Sequence, residues 1–430
     1  MSDLSPAAPP GRRNVLDQLE IDLRLLGMIG AFALVCLCFW IVTDGRFLSA
    51  RNIFNLTIQT VSVAIMATGM VFIIVCRHID LSVGAILALA SAVMGMMQAR
   101  WLPNVFGLGL GHPLIAPLTM LSGLLVGTAI GALNGWLVGY QRIPAFIVTL
   151  GGLLIWRYVG WYLTAGQTIA PLDQTFLLFG GAEGTLGVTA SWVVGALASA
   201  AALWVIYSGR RRKQAHGFPA RPIWAEGAVM VLVTATIMGF VAILNAYEVP
   251  QAKLKRIFEA RGEVMPDGFT AGYGLPISVL ILIIVAVAMT VIARRTRFGR
   301  YIFATGGNPD AAELSGINTR LLTVKIFALM GFLCGLSAII AQARLQSHPN
   351  DIGTLDELRV IAAAVIGGTA LSGGIGTIYG AILGALIMQS LQSGMAMVGA
   401  DAPLQNIVVG VVLVLAVWID IQYRRRLGMR

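Results

Sequence analysis

The chain has 430 residues, of which 57% are hydrophobic and only 12% are charged, and its mean hydropathy is +0.82. A soluble domain averages about 25% charged residues, so this sequence cannot cover itself with a water-facing surface. The net charge of +10 does not indicate a nucleic-acid partner, because the basic clusters lie beside the ends of apolar stretches and orient helices in a bilayer. These clusters are Arg210–Lys213, Arg294–Arg300 and Arg424–Arg426.

The apolar stretches predict an all-α, polytopic helical bundle with about 10–12 transmembrane helices, since about 20 residues cross the hydrocarbon core. They lack the alternating pattern of a membrane barrel. The predicted spans are 24–43, 58–76, 82–98, 114–139, 145–164, 190–208, 224–246, 274–293, 322–342, 358–371, 374–395 and 404–420.

This order of spans predicts three regions of the chain. Residues 1–23 are polar, Pro-rich and without a cleavage site, and are expected to be an uncleaved cytoplasmic tail. The membrane domain covers 24–420, and 421–430 is a basic cytoplasmic tail. The tenth segment, 358–371, is short for a crossing. We expect it to cross, broken at Gly367 and Gly368, because otherwise the last basic cluster would lie outside; a half-inserted hairpin is the alternative.

Polar residues interrupt the apolar run after Cys76. Asp80 is expected to cap the next helix, through its own side chain or through Ser82. The alternative is functional, because transporters place substrate-contacting backbone where helices break at membrane depth. Arg157 lies within a predicted span, where an unpaired arginine costs about 2.5–3.5 kcal/mol on insertion scales. We therefore expect it to face a polar cavity, to snorkel or to pair.

Glycines recur every four residues along the fourth span, at Gly123, Gly127, Gly131, Gly135 and Gly139. Such a stripe allows a neighbouring backbone to approach closely. The pattern predicts tight helix packing, with a moving seam as the functional alternative. Glycines at 376, 380 and 384 repeat the spacing late in the chain.

The loop at about 294–321 predicts a short helix on the cytoplasmic side. Asn308 suits the N-cap and Pro309 the first helical position, and Asp310 complements the helix dipole. Gly316 suits the left-handed position that ends a helix. The helix either lies at the lipid interface or docks a soluble partner.

No residue pattern indicates catalysis or ion coupling. Ion-coupled carriers place carboxylates or histidines within their spans, whereas acidic residues here fall almost entirely in tails and loops, with Asp80 and Glu226 nearest to span interiors. Common catalytic and phosphate-binding motifs are missing, and the four cysteines form no metal-binding pattern. We therefore expect no enzyme, cofactor or metal, and ATP hydrolysis in a partner if the chain pumps.

With these features, residues 50–420 resemble the permease subunits of bacterial carbohydrate-uptake ABC transporters of the ribose and xylose type. The matching segments are Ile79–Gly84, Asn134–Gly135, Ile143–Gly151 followed by Arg157, Arg297–Tyr301, Gly306–Asn308 with Ala311, Ala312 and Ser315–Ile317, Glu357–Leu358, Ile361–Ala363 and Val365–Gly374.

The resemblance implies an inner-membrane machine with two permease chains, two cytoplasmic ATP-binding subunits and a periplasmic sugar-binding protein. It implies that a coupling helix contacts the ATPase through Gly306, Gly307, Asn308, Ala311, Ala312, Ser315, Gly316 and Ile317. The matched segments also supply candidates for the translocation pathway, namely Asp80, Ser82, Asn134, Phe146, Thr149, Arg157 and Glu357.

The D-xylose permeases are the most similar branch, because they share the basic linker and added span at 209–246. The sequence departs from the family at Arg77-His78, where glycines are frequent, at Tyr158 and at Arg359. The outside loop at 247–273 is expected to contact the binding protein or to form an amphipathic segment. An ion-gradient-driven sugar carrier is the alternative function, and a polytopic membrane enzyme is a third.

Overall fold

The computed structural model describes residues 23–218, 221–260 and 262–426. Within these ranges the chain is helical, and its only extended pairing is a set of isolated bridges. Of the predicted tails, residues 1–22 and 427–430 lie outside the described residues. The chain divides into two compact units, one of residues 1–27 and 187–274 and the other of residues 28–186 and 275–430.

The helices in chain order are α1 (Leu23–Val42), α2 (Ala50–Val75), α3 (Val83–Met96), α4 (Leu102–Phe106), α5 (Ile115–Gly139), α6 (Ala145–Thr164), α7 (Gln174–Leu177), α8 (Gly187–Ala215), α9 (Ile223–Asn245), α10 (Gln251–Ala260), α11 (Ile277–Arg295), α12 (Arg297–Gly307), α13 (Pro309–Leu314), α14 (Thr319–Leu345), α15 (Asp356–Ile366), α16 (Ile378–Met397) and α17 (Ala402–Arg426). A π-helical turn at Met97–Trp101 joins α3 to α4. Helices α8 to α10 form the smaller unit.

Ten helical segments in the described part of the chain are long and apolar enough to cross a membrane. A shorter apolar stretch, Ala402–Trp418, begins α17. The prediction of a polytopic helical bundle is confirmed. Two boundaries differ from the prediction. α2 begins at Ala50 rather than at residue 58, because Ser49 caps it, and α8 continues to Ala215 through the basic cluster.

The segment at 358–371 is interrupted at Gly367 and Gly368, as the sequence predicts. α15 has 11 residues and ends at Ile366, with Gly367 at the C-cap position, so it rises about 16 Å, about half of the hydrocarbon thickness. The chain is already broken before α15, because Pro349 and Gly353 disfavour helix in the preceding loop. α15 packs antiparallel against α16: a Cβ on Gly384 would overlap the Ala363 carbonyl, and one on Gly380 would overlap the Gly367 carbonyl.

α2 is the centre of the larger unit and is buried along almost its whole length. A helix that is apolar on all sides is stable only when neighbours surround it. α11, α14, α15 and α16 all pack against α2. Gly69 shows how close this packing is, since a Cβ there would meet Met330 and Leu333 of α14.

The glycine stripe of α5 packs against α14, the most extensive helix pair in the molecule. A Cβ on Gly127 would overlap the Gly331 carbonyl, and a Cβ on Gly131 would overlap the Phe327 carbonyl. The two backbones are therefore in direct contact. The prediction of tight packing at this stripe is confirmed.

The smaller unit pairs α8 with α9. Arg210, near the end of α8, forms an ion pair with Glu226 of α9 and also donates to the Arg221 carbonyl at 3.1 Å. Glu226 is therefore held by the basic cluster instead of lying alone in a span. In the loop at 247–273, α10 buries Leu254, and Lys253 lies over the Tyr273 ring at 5.3 Å. Arg261, part of this predicted surface, lies outside the described residues.

Replacing Gly131 by alanine should destabilise the bundle. The added methyl would overlap the α14 backbone, and overpacking of this kind costs about 1–3 kcal/mol in the free energy of unfolding. Thermal unfolding in mild detergent measures the effect. Gly151→Ala is the matched control, because its Cβ would meet nothing within 4 Å. Equal melting temperatures for Gly131→Ala and the wild type would show that the seam is not close-packed.

Candidate functional site

The segment Cys76–Ser82 joins α2 to α3 without helical structure. Asp80 is 1% exposed, and its Oδ1 accepts hydrogen bonds from the backbone N–H (2.9 Å) and the hydroxyl (2.6 Å) of Ser82. The predicted cap is therefore wrong, because Ser82 at the N-cap position of α3 makes no side-chain cap bond. Asp80 closes a local turn instead, as aspartates often do. Burial raises the pKa of Asp80, and the two hydrogen bonds from Ser82 act in the opposite direction.

Polar side chains from three helices meet at this turn. Asn134 of α5 donates from Nδ2 to the Ser82 hydroxyl at 3.1 Å. Thr149 of α6 donates to its own helix at Ala145 (2.9 Å) and lies 3.3 Å from the Ile79 carbonyl. All three hydroxyl or amide side chains are buried. The structure thus brings four of the residues predicted for the translocation pathway into one cluster, namely Asp80, Ser82, Asn134 and Thr149.

Phe146 lies nearby but faces a different environment. Its side chain is 50% exposed and borders a cavity of about 480 Å³. The cavity is also lined by the start of the non-helical segment and by the α5–α6 turn. Its lining residues are Arg77, His78, Ile79, Val138, Arg142, Ile143, Pro144, Ala145 and Phe146. The cavity therefore lies directly beside the turn made by Asp80.

Arg157 forms hydrogen bonds to the non-helical loop at 346–355, which precedes α15. Its Nη1 donates to the Ile352 carbonyl at 3.2 Å and to the Thr354 hydroxyl at 3.0 Å. These are the partners that the sequence could not identify. The guanidinium satisfies a carbonyl in a stretch that has no helical hydrogen bonds of its own.

Glu357 lies in the first turn of α15 and is 7% exposed. Its Oε2 has no hydrogen-bond partner among the described residues. A Cβ added to Gly84 would lie 2.6 Å from this oxygen, so the carboxylate points at the N-terminal turn of α3. Negative charge is favourable there because the first N–H groups of a helix are unpaired.

Asp356 is a buried acid that the sequence reading did not identify. It pairs with Arg359 at 3.0 Å. Arg359 in turn donates to the Gln392 amide oxygen at 2.9 Å when that amide is oriented to accept. The expectation that acids fall in tails and loops is therefore wrong for Asp356 and Glu357. The sequence pattern that could have indicated this ion pair is the three-residue spacing of Asp356 and Arg359, which places the two side chains side by side on a helix.

A second buried polar set, also missed, lies at the other end of α3. Ser91 and the His348 Nδ1 are 2.8 Å apart, and His348 forms a backbone bridge with Ile169. The Gln98 side chain accepts from the Asp173 backbone at 2.8 Å. Burial lowers the pKa of His348 to about 4, so this histidine is neutral near pH 7. These contacts join residues that are far apart in the chain, so only the tertiary structure identifies this set.

The short helix α13 has the geometry that its sequence predicts. The Asn308 side chain caps it by accepting from the Ala311 N–H at 3.1 Å. Gly316 ends it with φ of 84°. Asn318 then caps α14 by accepting from Leu321 at 2.9 Å. α13 is therefore fixed between two longer helices.

Most of the predicted coupling residues form an exposed surface. Leu314, beside them, is 90% exposed. The exposed members are Gly307, Asn308, Ala311, Ser315 and Gly316, whereas Gly306 and Ala312 are buried and Ile317 is half-buried. The arrangement can dock another molecule but offers no reacting group. Among the described residues, no cluster of side chains could hold a metal ion.

Comparisons with known proteins agree on one family. The family model described as "Branched-chain amino acid transport system / permease component" matches residues 52–211 and 175–417. A xylose transport system permease protein of Escherichia coli K12 is 36% identical over 95% of this chain and 94% of its own length. The Haemophilus influenzae xylose permease is 35% identical over 95% and 99%. A ribose import permease of Escherichia coli K12 is 31% identical over 87% of both chains. No solved structure matches the chain.

A double-mutant cycle should detect the contact between Arg157 and Thr354. Arg157→Met and Thr354→Val are each expected to lower the free energy of unfolding. Both single variants lose the same hydrogen bond, so the double variant should be destabilised by less than the sum of the two, with a coupling energy of about 0.5–1.5 kcal/mol. Denaturation in detergent supplies the four free energies. Arg157→Met combined with Thr128→Val is the control, since the Thr128 hydroxyl donates to Leu124 of its own helix. Equal coupling in both cycles would contradict the contact.

Proposed function

The chain belongs to the family of permease components of the branched-chain amino acid transport type, and we propose that it is the membrane-spanning permease of an ABC importer that carries a pentose, D-xylose first, into the bacterial cytoplasm. The observation that supports this most is the exposed helix α13, capped at Asn308 and fixed at both ends. In this proposal α13 is the docking element for the ATP-binding subunit.

The sugar cargo rests on the relatives. The family description refers to amino acids, but the relatives with 31–36% identity are printed as xylose and ribose permeases. Asp80, Asn134 and Thr149 are buried and hydrogen-bonded within the protein, so in this conformation they shape the turn between α2 and α3 rather than meet a ligand. Specificity would be shared with the periplasmic binding protein.

The topology follows from the basic clusters. With both termini in the cytoplasm, the clusters at Arg210–Lys213 and Arg294–Arg300 would lie on the cytoplasmic side. The membrane domain then covers 24–420, with the coupling loop at about 294–321 between short cytoplasmic tails at 1–23 and 421–430. The chain would sit in the inner membrane as one of two permease copies.

The transport cycle would depend on α13. Two ATP-binding subunits engage its exposed surface, and their movement reaches the membrane because α13 continues into α12 and α14. The pathway candidates are the four residues of the Asp80 turn with Phe146, Arg157 and Glu357. They lie where α3 and α15 begin inside the bundle. Breaks of this kind are where transporters bind and gate substrate.

A carrier driven by an ion gradient is the second candidate. The observation that favours it is Glu357, whose buried Oε2 has no partner among the described residues. Buried carboxylates of this kind carry protons in coupled carriers.

Gly307→Asp should disrupt binding to the ATP-binding subunit. A Cβ at Gly307 meets nothing within 4 Å, so the new side chain leaves the permease fold unchanged and extends into the partner surface. We expect the affinity to fall at least about tenfold, equivalent to about 1.4 kcal/mol, in a pull-down titration of the purified permease with its cognate subunit. Gly209→Asp, also without neighbours within 4 Å, is the control. Unchanged binding by the Gly307 variant would refute the docking assignment.

Reconstitution separates the two energy sources. Proteoliposomes with the permease, the ATP-binding subunits and the binding protein should accumulate labelled D-xylose only when ATP is supplied, because the permease has no motor of its own. The permease alone with a pH gradient should show no accumulation. Gradient-driven uptake by the permease alone, abolished by Glu357→Gln, would establish the second candidate instead.

A further inference from the structure

Arg77 makes a contact that the resemblance does not account for. It follows the end of α2 immediately, and its guanidinium reaches the end of α12. Nε donates to the Gly306 carbonyl at 2.9 Å, and Nη2 donates to the Gly307 carbonyl at 2.8 Å. The forked guanidinium geometry suits two adjacent acceptors. These carbonyls belong to the last turn of a helix, where they lack helical partners and attract a cation.

The backbone at this junction is packed without space for side chains. The Val75 carbonyl accepts from the Gly374 N–H at 3.0 Å, and a Cβ on Gly306 would overlap the same carbonyl. A Cβ on Gly373 would lie 2.5 Å from the Arg77 Cγ. The ends of α2 and α12 therefore touch each other and the loop after α15. A displacement of α12 at this point must move its neighbours, because no gap is available to absorb it.

Arg77 adopts a backbone conformation that disfavours it. Its φ is 64°, in the left-handed region where a Cβ is crowded and glycine is at ease. Two of the three side-chain nitrogens of Arg77 are hydrogen-bonded to α12, and these bonds offset the cost of the left-handed backbone.

The residues that follow Arg77 form the wall of the cavity. His78 and Ile79 line the cavity of about 480 Å³ together with Arg142 and Phe146, and Asp80 begins the polar turn. On the other side of the contact, Gly307 is followed directly by Asn308, the cap of α13. Arg77 thus joins the segment at residues 78–82 to the base of the docking helix.

We infer that Arg77 is a positioning residue that transmits movement of the docking helix α13 to the cavity wall at residues 78–82. The inference rests on the proposed function, since it takes α13 as the element on which the ATP-binding subunit acts. When α13 and the end of α12 move, the hydrogen bonds from the Arg77 guanidinium to the Gly306 and Gly307 carbonyls displace residues 78–82 in the same direction. The cavity then opens or closes in step with the ATP cycle.

The test measures coupling in the full complex. The permease, its ATP-binding subunits and the binding protein are reconstituted in proteoliposomes, and D-xylose uptake and ATP hydrolysis are measured together. Arg77→Gly removes the side chain while suiting the backbone at φ of 64°. We expect the ratio of sugar transported to ATP hydrolysed to fall by about 5-fold or more, the lower end of ordinary coupling between sites. Arg77→Lys, with one donor group in place of the fork, should give an intermediate ratio.

Asp44→Gly is the matched control. Asp44 also has a left-handed backbone, with φ of 51°, and its side chain is exposed, but it does not line the cavity and the described residues give it no hydrogen bond to α12. Its ratio should equal that of the wild type.

The ratio separates transmission from stability. A purely structural role for Arg77 would lower uptake and hydrolysis together and leave their ratio unchanged, which would overturn the inference. A ratio that falls equally in Asp44→Gly would also overturn it. If the wild-type complex shows no ATP-driven uptake, the proposed function fails and the inference fails with it. If the wild type couples normally and Arg77→Gly keeps its ratio, the inference alone fails.

Discussion

The structure depends on one constraint, that every backbone N–H and C=O at membrane depth needs a partner within the protein. Continuous helices meet this requirement by themselves, and most of the chain follows that solution. Two segments do not, namely Cys76–Ser82 before α3 and the loop at 346–355 before α15. Both remain in place because side chains and neighbouring backbone supply the missing partners.

The two breaks explain where the polar residues lie. Asp80 binds the Ser82 N–H in the first break, and Arg157 binds the Ile352 carbonyl in the second. Glu357 connects them, because it begins α15 and points at the start of α3. A residue that satisfies a broken backbone must be polar. The backbone of the two non-helical segments is therefore sufficient to explain why polar side chains lie there.

The close helix contacts at the glycines are a second response to the membrane environment. Close contact between α5 and α14, and between α15 and α16, lets short or interrupted helices remain buried. Small residues allow this contact in a membrane, where no hydrophobic effect drives helices together. The bundle is therefore closely packed where these glycines meet a neighbouring helix, whereas its two non-helical segments depend on hydrogen bonds from side chains.

Much of the molecule could be predicted from local sequence. The cap of α13 depends on Asn308, Pro309 and Gly316 within nine residues, so the sequence was sufficient. The glycine stripe of α5 was visible for the same reason, as a property of one helix face. An error arose where local rules competed. Asp80 had two acceptable hydrogen-bonding choices, and the structure shows a turn with Ser82 instead of a helix cap. The break at Gly367 and Gly368, by contrast, followed from the sequence.

The sequence by itself determined that this is a helical membrane protein, where most of its helices lie, and that one short helix is exposed between two long ones. These properties follow from hydrophobicity and capping, which act between residues close together in the chain. Only the tertiary structure decided which partners the polar groups find. Arg157 meets Thr354 across 197 positions, and Arg77 meets Gly307 across 230. Contacts over such separations depend on how helices pack, and no local pattern encodes that.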